Sequence, residues 1–255
     1  MILEMEDIVK EFSGVRVLDN VSFRLRRGTV HALMGENGAG KSTLMKILNG
    51  IYTKTSGRIV IGGQEVDMKN SRVAKQHGVA MIHQELSAFP DLSVSANMFM
   101  ANEFLSFGLI DERKMHQHCH EMFQRIGIEL DPKRKISTLS VAETQMVEIA
   151  KAIAMNADII IMDEPTSAIT EAEVEKLFKV IQDLRAEGKA IIYISHKMDE
   201  IFRISDEITV LRDGCLAGSD LAENLDHEKL IRLMVGRTLD QQFFKTEHKL
   251  GAVML

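Results

Sequence analysis

Residues 35–42 read Gly-Glu-Asn-Gly-Ala-Gly-Lys-Ser, a G-x-x-x-x-G-K-S loop, and this stretch restricts the fold more than any other. The preceding VHALM is apolar and strand-like. The following STLMKILNGI carries Leu44, Met45, Ile47, Leu48 and Ile51 at helical spacing. Strand, glycine-rich turn and helix in that order build a cradle for a phosphate chain. Glycine lets the backbone curl so that its N–H groups face inward, and the helix adds its positive end. The candidate cradle is Gly35, Glu36, Asn37, Gly38, Ala39 and Gly40, with Thr43 in the first helical turn. Lys41 has the reach for β and γ phosphates, and the Ser42 hydroxyl suits Mg²⁺.

A phosphate loop of this kind needs a second acidic group for the metal. DIIIMDEP (158–165) is a short apolar strand that stops on Asp163 and Glu164. Parallel strands buried on both faces read this way, and their carboxyl ends face the ligand crevice. Asp163 is the candidate metal ligand beside Ser42, and Glu164 the candidate general base toward an attacking water.

Strand-like GVAMIHQ (78–84) and AIIYISH (190–196) alternate with helical segments, one of them at 171–186 with a stripe of Val174, Leu177, Phe178, Ile181 and Leu184. This alternation predicts an α/β P-loop NTPase with a mostly parallel core sheet. Strand signals near 2–10, 15–25 and 57–67, the last turning on Gly62-Gly63, predict an antiparallel β subdomain. EITVLRDG (207–214) opens another hairpin. From about 95 to 155 the pattern is helical and nearly free of strand signals, which predicts an inserted helical subdomain. Residues 1–240 read as one domain, and 241–255, which have no clear period, as a linker or frayed end.

Composition narrows the function classes. A net charge of -6 is a poor basis for holding a nucleic-acid backbone. Two cysteines make no disulfide framework and fit a reducing compartment. No apolar run nears the roughly 18 residues that span a bilayer, and MILEMEDIVKEF shows no signal-peptide core. HQHCH (116–120) puts His116 and His120 on one helix face and His118 away from it, without an acidic third ligand, so it reads as a solvated face.

Six stretches in order resemble the nucleotide-binding domains of ABC transporters, over essentially the whole chain. After the phosphate loop come Gln84 in MIHQEL, LSVAETQ from Leu139, IIIMDE ending at Glu164, SAIT from Ser167, and His196 in YISH. By residue type alone, Gln84 reads as a solvated polar residue, His196 as structural and Phe12 as a core aromatic. The resemblance implies more: ATP and Mg²⁺ as cofactors, Gln84 on the metal or attacking water, His196 on the γ-phosphate, and Phe12 stacked on adenine. It further implies that Ser140 serves, in trans, the ATP held by a second domain. The family pattern there is LSGGQ, whereas this chain reads Leu139-Ser140-Val141-Ala142-Glu143. Two glycines are gone and a negative charge is added at this stretch. Thr170 stands where the family has Asp.

These departures, with EIFRISDEITVLRDG and LMVGR (233–237), resemble the sugar-importer branch, whose members act on ribose, galactose, xylose and similar solutes. There one polypeptide carries two such domains in tandem, and this chain resembles the N-terminal half, with 241–255 as the start of the connection. The resemblance implies a peripheral ATPase on the cytoplasmic side of the membrane, weakly active as an isolated domain. Its implied partners are a second ATP-binding domain, transmembrane permease subunits and, indirectly, a periplasmic or extracellular sugar-binding protein, with no nucleic acid. Within 85–110, Leu86, Phe89, Leu92 and Phe99 read equally as the groove for a permease coupling helix or as helical core. A soluble ABC ATPase acting on nucleic acid or ribosomes, and a non-hydrolysing nucleotide-binding module, are the competing classes.

Overall fold

The computed structural model describes residues 1–83 and 88–236. β1 (Leu3–Phe12) and β2 (Val15–Leu25) form a hairpin that turns on Ser13 and Gly14, both at positive φ. β3 (Val30–Met34) enters the main sheet, and the glycine loop leads from it into α1 (Lys41–Leu48). β4 (Ser56–Ile61) and β5 (Gln64–Glu65) make a second hairpin on Gly62 and Gly63. Two adjacent positive-φ residues match the right-handed twist of the flanking strands. The antiparallel sheet has the order β2-β1-β4-β5. α2 (Ser71–Gln76) then precedes β6 (Val79–Ile82).

The helical layer contains α3 (Val94–Met98), a small hairpin of β7 (Leu105–Ser106) and β8 (Leu109–Ile110), α4 (Glu112–Arg125) and α5 (Val141–Ala154). The hairpin is small, two residues to a strand, within an otherwise helical stretch. Phe107 and Gly108 both take positive φ and turn the chain back after two residues. Its apolar residues Leu105, Phe107, Leu109 and Ile110 are exposed. Their spacing therefore carried no burial signal to read.

β9 (Ile159–Asp163), α6 (Glu171–Ala186), β10 (Ala190–Ile194), α7 (Met198–Ile204), β11 (Glu207–Arg212), β12 (Cys215–Leu221) and α8 (His227–Val235) complete the chain as described. The main sheet has the order β12-β11-β3-β10-β9-β6, all parallel except for the β11–β12 pair. The antiparallel subdomain and the mostly parallel core are both as expected.

Two cores explain why the central strands are apolar throughout. Ile159, Ile161, Ile192 and Ile194 pack with α1 and the antiparallel sheet, while Ile160, Met162, Ile191 and Tyr193 pack with the helical layer. Successive side chains of a strand point to opposite faces, so a strand covered on both sides needs no polar positions. The consequence for function lies at the ends. β3, β9 and β10 run side by side, with Leu33 opposite Ile194 and Ile194 opposite Asp163. Whatever follows each strand therefore emerges at one edge.

Candidate functional site

Three segments meet at that edge. The loop after β3, the Asp163-Glu164 end of β9 and His196 after β10 line a single cavity of about 770 Å³. Gly35, Glu36, Asn37, Gly38, Gly40, Lys41, Ser42 and Thr43 all contribute to its wall. Ala39 is turned into the core beside α1 and is 4% exposed, so its part in the loop is carried by backbone.

Glycine is required at two places by different contacts. Gly35 has φ 145°, and a Cβ there would lie 2.2 Å from the Leu211 carbonyl oxygen. Gly40 has φ 100°, and a Cβ there would lie 2.5 Å from Leu18 Cδ2. α1 starts at Gly40 with no side-chain cap, which leaves the N–H groups of its first turn to a ligand. The Lys41 ammonium donates to the carbonyls of Gly35 (2.8 Å) and Glu36 (3.0 Å), so its charge sits inside the loop. Burial pulls its pKa down, while Glu164 and Asp163 push it up.

Asp163 is 5% exposed. Burial first, then the neighbouring Glu164, raises its pKa, and Lys41, a hydrogen bond from Ser42 and His83 lower it. A buried carboxylate beside a serine hydroxyl is a hard-oxygen donor pair without enough positive charge of its own, the chemistry Mg²⁺ suits. Glu164 occupies the left-handed region (φ 48°), where a non-glycine residue is held only by its surroundings. Its N–H donates to the Ile194 carbonyl (2.9 Å), and its own carbonyl accepts from Ser167 (3.2 Å). These bonds turn its carboxylate toward β10, where Glu164 Oε1 accepts from His196 Nδ1 at 3.2 Å.

The other sequence-derived residues are placed elsewhere. Gln84 and Leu86 lie outside the described residues, as do positions 237–255. Phe12 ends β1 with its ring 37% exposed, edge-on to Tyr52 at 5.1 Å and under the Lys10 ammonium at 4.6 Å. Its register partner is Val15; Val17, two residues on, lines the cavity, as does Met234 of α8. Neither lining residue was anticipated, because nothing in their local sequence marks them as neighbours of the loop.

Ser140 does not line this cavity. It caps α5: its side chain accepts from Glu143 N–H (3.1 Å), and its own N–H donates to Glu143 Oε2 (2.7 Å). Glu143 Oε1 accepts from Arg134 at 3.0 Å. The carboxylate expected to stand as bare negative charge is thus engaged, and its pKa is lowered chiefly by the Ser140 N–H. Thr170 begins α6, and its N–H and hydroxyl both donate to Glu173 (2.8 and 2.9 Å). Phe99 belongs to the helical core, whereas Phe89 and Leu92 are exposed.

The ABC transporter family model matches residues 18–167, from the second strand through the residues beyond Glu164. The chain belongs to the ABC transporter family. Among its ABC relatives are two named "Putative ribose/galactose/methyl galactoside import ATP-binding protein". The one from Halalkalibacterium halodurans is 51% identical over 100% of this chain and 49% of that protein. The one from Hahella chejuensis is 52% identical over 100% of this chain and 50% of that protein. The galactose/methyl galactoside import ATP-binding protein MglA of Clostridium perfringens is 51% identical over 97% of this chain and 48% of its own length. The chain therefore spans about half the length of the curated relatives it matches.

Solved structures show the same fold. A nucleotide-free ATP-binding cassette from an ABC transporter matches with a TM-score of 0.80 at 23% identity, over 91% of this chain and 98% of its own. An ABC cassette in its ADP conformation matches at 0.79 and 23%, over 92% and 99%.

Proposed function

We propose that this chain is an ATP-binding and ATP-hydrolysing domain that energises import of a sugar through a membrane permease. One observation carries the reading: Lys41, Ser42, Asp163, Glu164 and His196 converge on one cavity from three separate strand ends. The names of the curated relatives, which are sugar-import ATP-binding proteins, support the direction of transport and the solute class.

The residues take the following parts. The loop backbone and Lys41 hold the β and γ phosphates of ATP. Ser42 and Asp163 would hold Mg²⁺, with Gln84 as a further ligand; the ion supplies charge neutralisation on the phosphates. Glu164 accepts the proton of the attacking water, and His196 donates to the γ-phosphate. Phe12 offers an exposed ring for the adenine. Ser140, outside this cavity, serves the ATP of a second ATP-binding domain, so each site needs two domains. Leu92 lines a cavity of about 500 Å³ with Ala96, Met100 and Ile110. We assign this surface to the permease, and the sugar-binding protein acts through the permease.

No helix among the described residues is long and apolar enough to cross a membrane. On this reading the chain sits on the cytoplasmic face of the membrane through the permease. The test is phosphate release from the chain with and without its second domain, together with copurification. The reading expects slow release alone, faster release when the two domains are joined, and recovery with permease rather than nucleic acid. Full activity from a strict monomer would contradict the shared site.

A further inference from the structure

One carboxylate outside the cavity reaches the segments that carry both Glu164 and His196. Glu200, on α7, is 8% exposed. Its Oε2 accepts from Thr166 Oγ1 (2.9 Å), Tyr193 OH (2.9 Å) and Ser195 Oγ (3.2 Å), and its Oε1 pairs with Lys197 Nζ at 3.1 Å. Lys197 also donates through Nζ to the Thr166 carbonyl (3.4 Å) and through its N–H to Ser195 Oγ (3.1 Å).

The positions of these donors matter more than their number. Thr166 lies two residues after Glu164. Ser195 and Lys197 flank His196 on either side. Burial and the Glu200 charge push the Tyr193 hydroxyl up, so it stays protonated and acts as a donor. Removing a carboxylate from water is unfavourable unless its lone pairs are filled, and replacing a whole buried ion pair by apolar residues of similar volume is often as stable or more so. Here the lone pairs are filled by Tyr193 of β10 and by groups from the two loops that carry Glu164 and His196.

We propose that Glu200 is a positioning residue for ATP hydrolysis, holding the loop after β9 and the loop after β10 so that Glu164 and His196 stay paired at the edge of the cavity. It acts through those residues and touches no substrate. The inference rests on the hydrolytic reading of the site given above.

The test measures kcat and KM for ATP, equilibrium ATP binding and the melting temperature in the full chain. Glu200→Ala is expected to lower kcat by roughly tenfold or more, with KM and ATP affinity within about twofold of wild type. Glu200→Gln keeps one acceptor oxygen and is expected to recover most of the loss. A folded Glu200→Ala protein with wild-type kcat overturns the proposal. So does a kcat loss matched by an equal loss of ATP binding, which is what a merely structural role predicts. If Glu200→Ala fails to fold, Ser195→Ala combined with Tyr193→Phe removes two donors with little change in volume. That pair is expected to lower kcat severalfold at unchanged KM, and an unchanged kcat rejects the role. Glu164→Gln is run alongside. Wild-type turnover in that variant would defeat the hydrolytic reading itself, whereas loss there with full activity in Glu200→Ala defeats only the positioning role.

Discussion

Two helices of this chain begin at motifs that resemble those of its family, and they begin differently. α1 starts at Gly40 with no side-chain cap and no acidic residue in its first turn. α5 starts at Ser140 with a reciprocal cap from Glu143, whose other oxygen meets Arg134. An uncapped N-terminus leaves N–H groups and a partial positive charge for an anion. A capping box satisfies two of those donors from within and brings a carboxylate to the same end. α1 is therefore open to an anion, whereas α5 is a self-sufficient helix start. On the proposed reading α5 adds the Ser140 hydroxyl and its remaining backbone donors to a nucleotide held by a second domain.

Breaking the α1 end should have the largest effect. Lys41→Ala removes the one charge held inside the loop and is expected to weaken ATP binding by roughly 100-fold, as for truncation of a buried charged contact. Ser140→Ala should leave binding of ATP by this chain within about twofold while slowing turnover in the joined protein. Equal losses in titrations of both variants would erase the contrast.

A second difference is in response to acid. His31 lies on β3, just ahead of the glycine loop, with Nε2 bonded to Thr209 Oγ1 at 2.7 Å and Nδ1 buried without a hydrogen-bond partner. Burial lowers its pKa from 6.5 to about 4. The unfolded chain binds this proton first, so stability present above the unfolded pKa is lost as pH falls through that window. The loss is roughly 3 kcal/mol. Thermal melts between neutral pH and about pH 4 should fall steeply in wild type and less in His31→Gln; equal slopes would assign acid sensitivity elsewhere.

The smallest effect concerns the α5 cap. Glu143→Ala should cost about 1 kcal/mol and lower the melting temperature by roughly 2–4 °C, with Glu143→Gln milder. An unchanged melting temperature would mean that the cap does not hold the helix start in solution.

The strands at 159–163 and 190–194 were legible in the sequence because both of their faces are buried, which leaves unbroken apolar runs. The glycine loop was legible because its backbone tolerates few residues. The β7–β8 hairpin was not, since its strands are two residues long and its apolar residues face solvent. Glu143 is readable in principle: Ser140-x-x-Glu143 is a capping-box signature, which engages the carboxylate at the helix start. Val17, Met234 and Glu200 were not legible at all. Val17 and Met234 meet the loop from elsewhere in the chain, and the Thr166 partner of Glu200 lies 34 residues away; no local pattern encodes such proximity. The hairpin at Gly62-Gly63 shows the opposite case, because its turn residues sit next to each other and carry their own conformation.

The most direct measurement is ATP binding and phosphate release by Glu164→Gln against wild type, in this chain joined to a second ATP-binding domain. On the proposed reading this carboxylate accepts a proton from water, while the loop and Lys41 hold the nucleotide without it. ATP affinity is therefore expected to stay within about twofold and phosphate release to fall at least 100-fold, the order found for removal of a general base. Undiminished phosphate release, or loss of ATP binding along with it, would contradict the account.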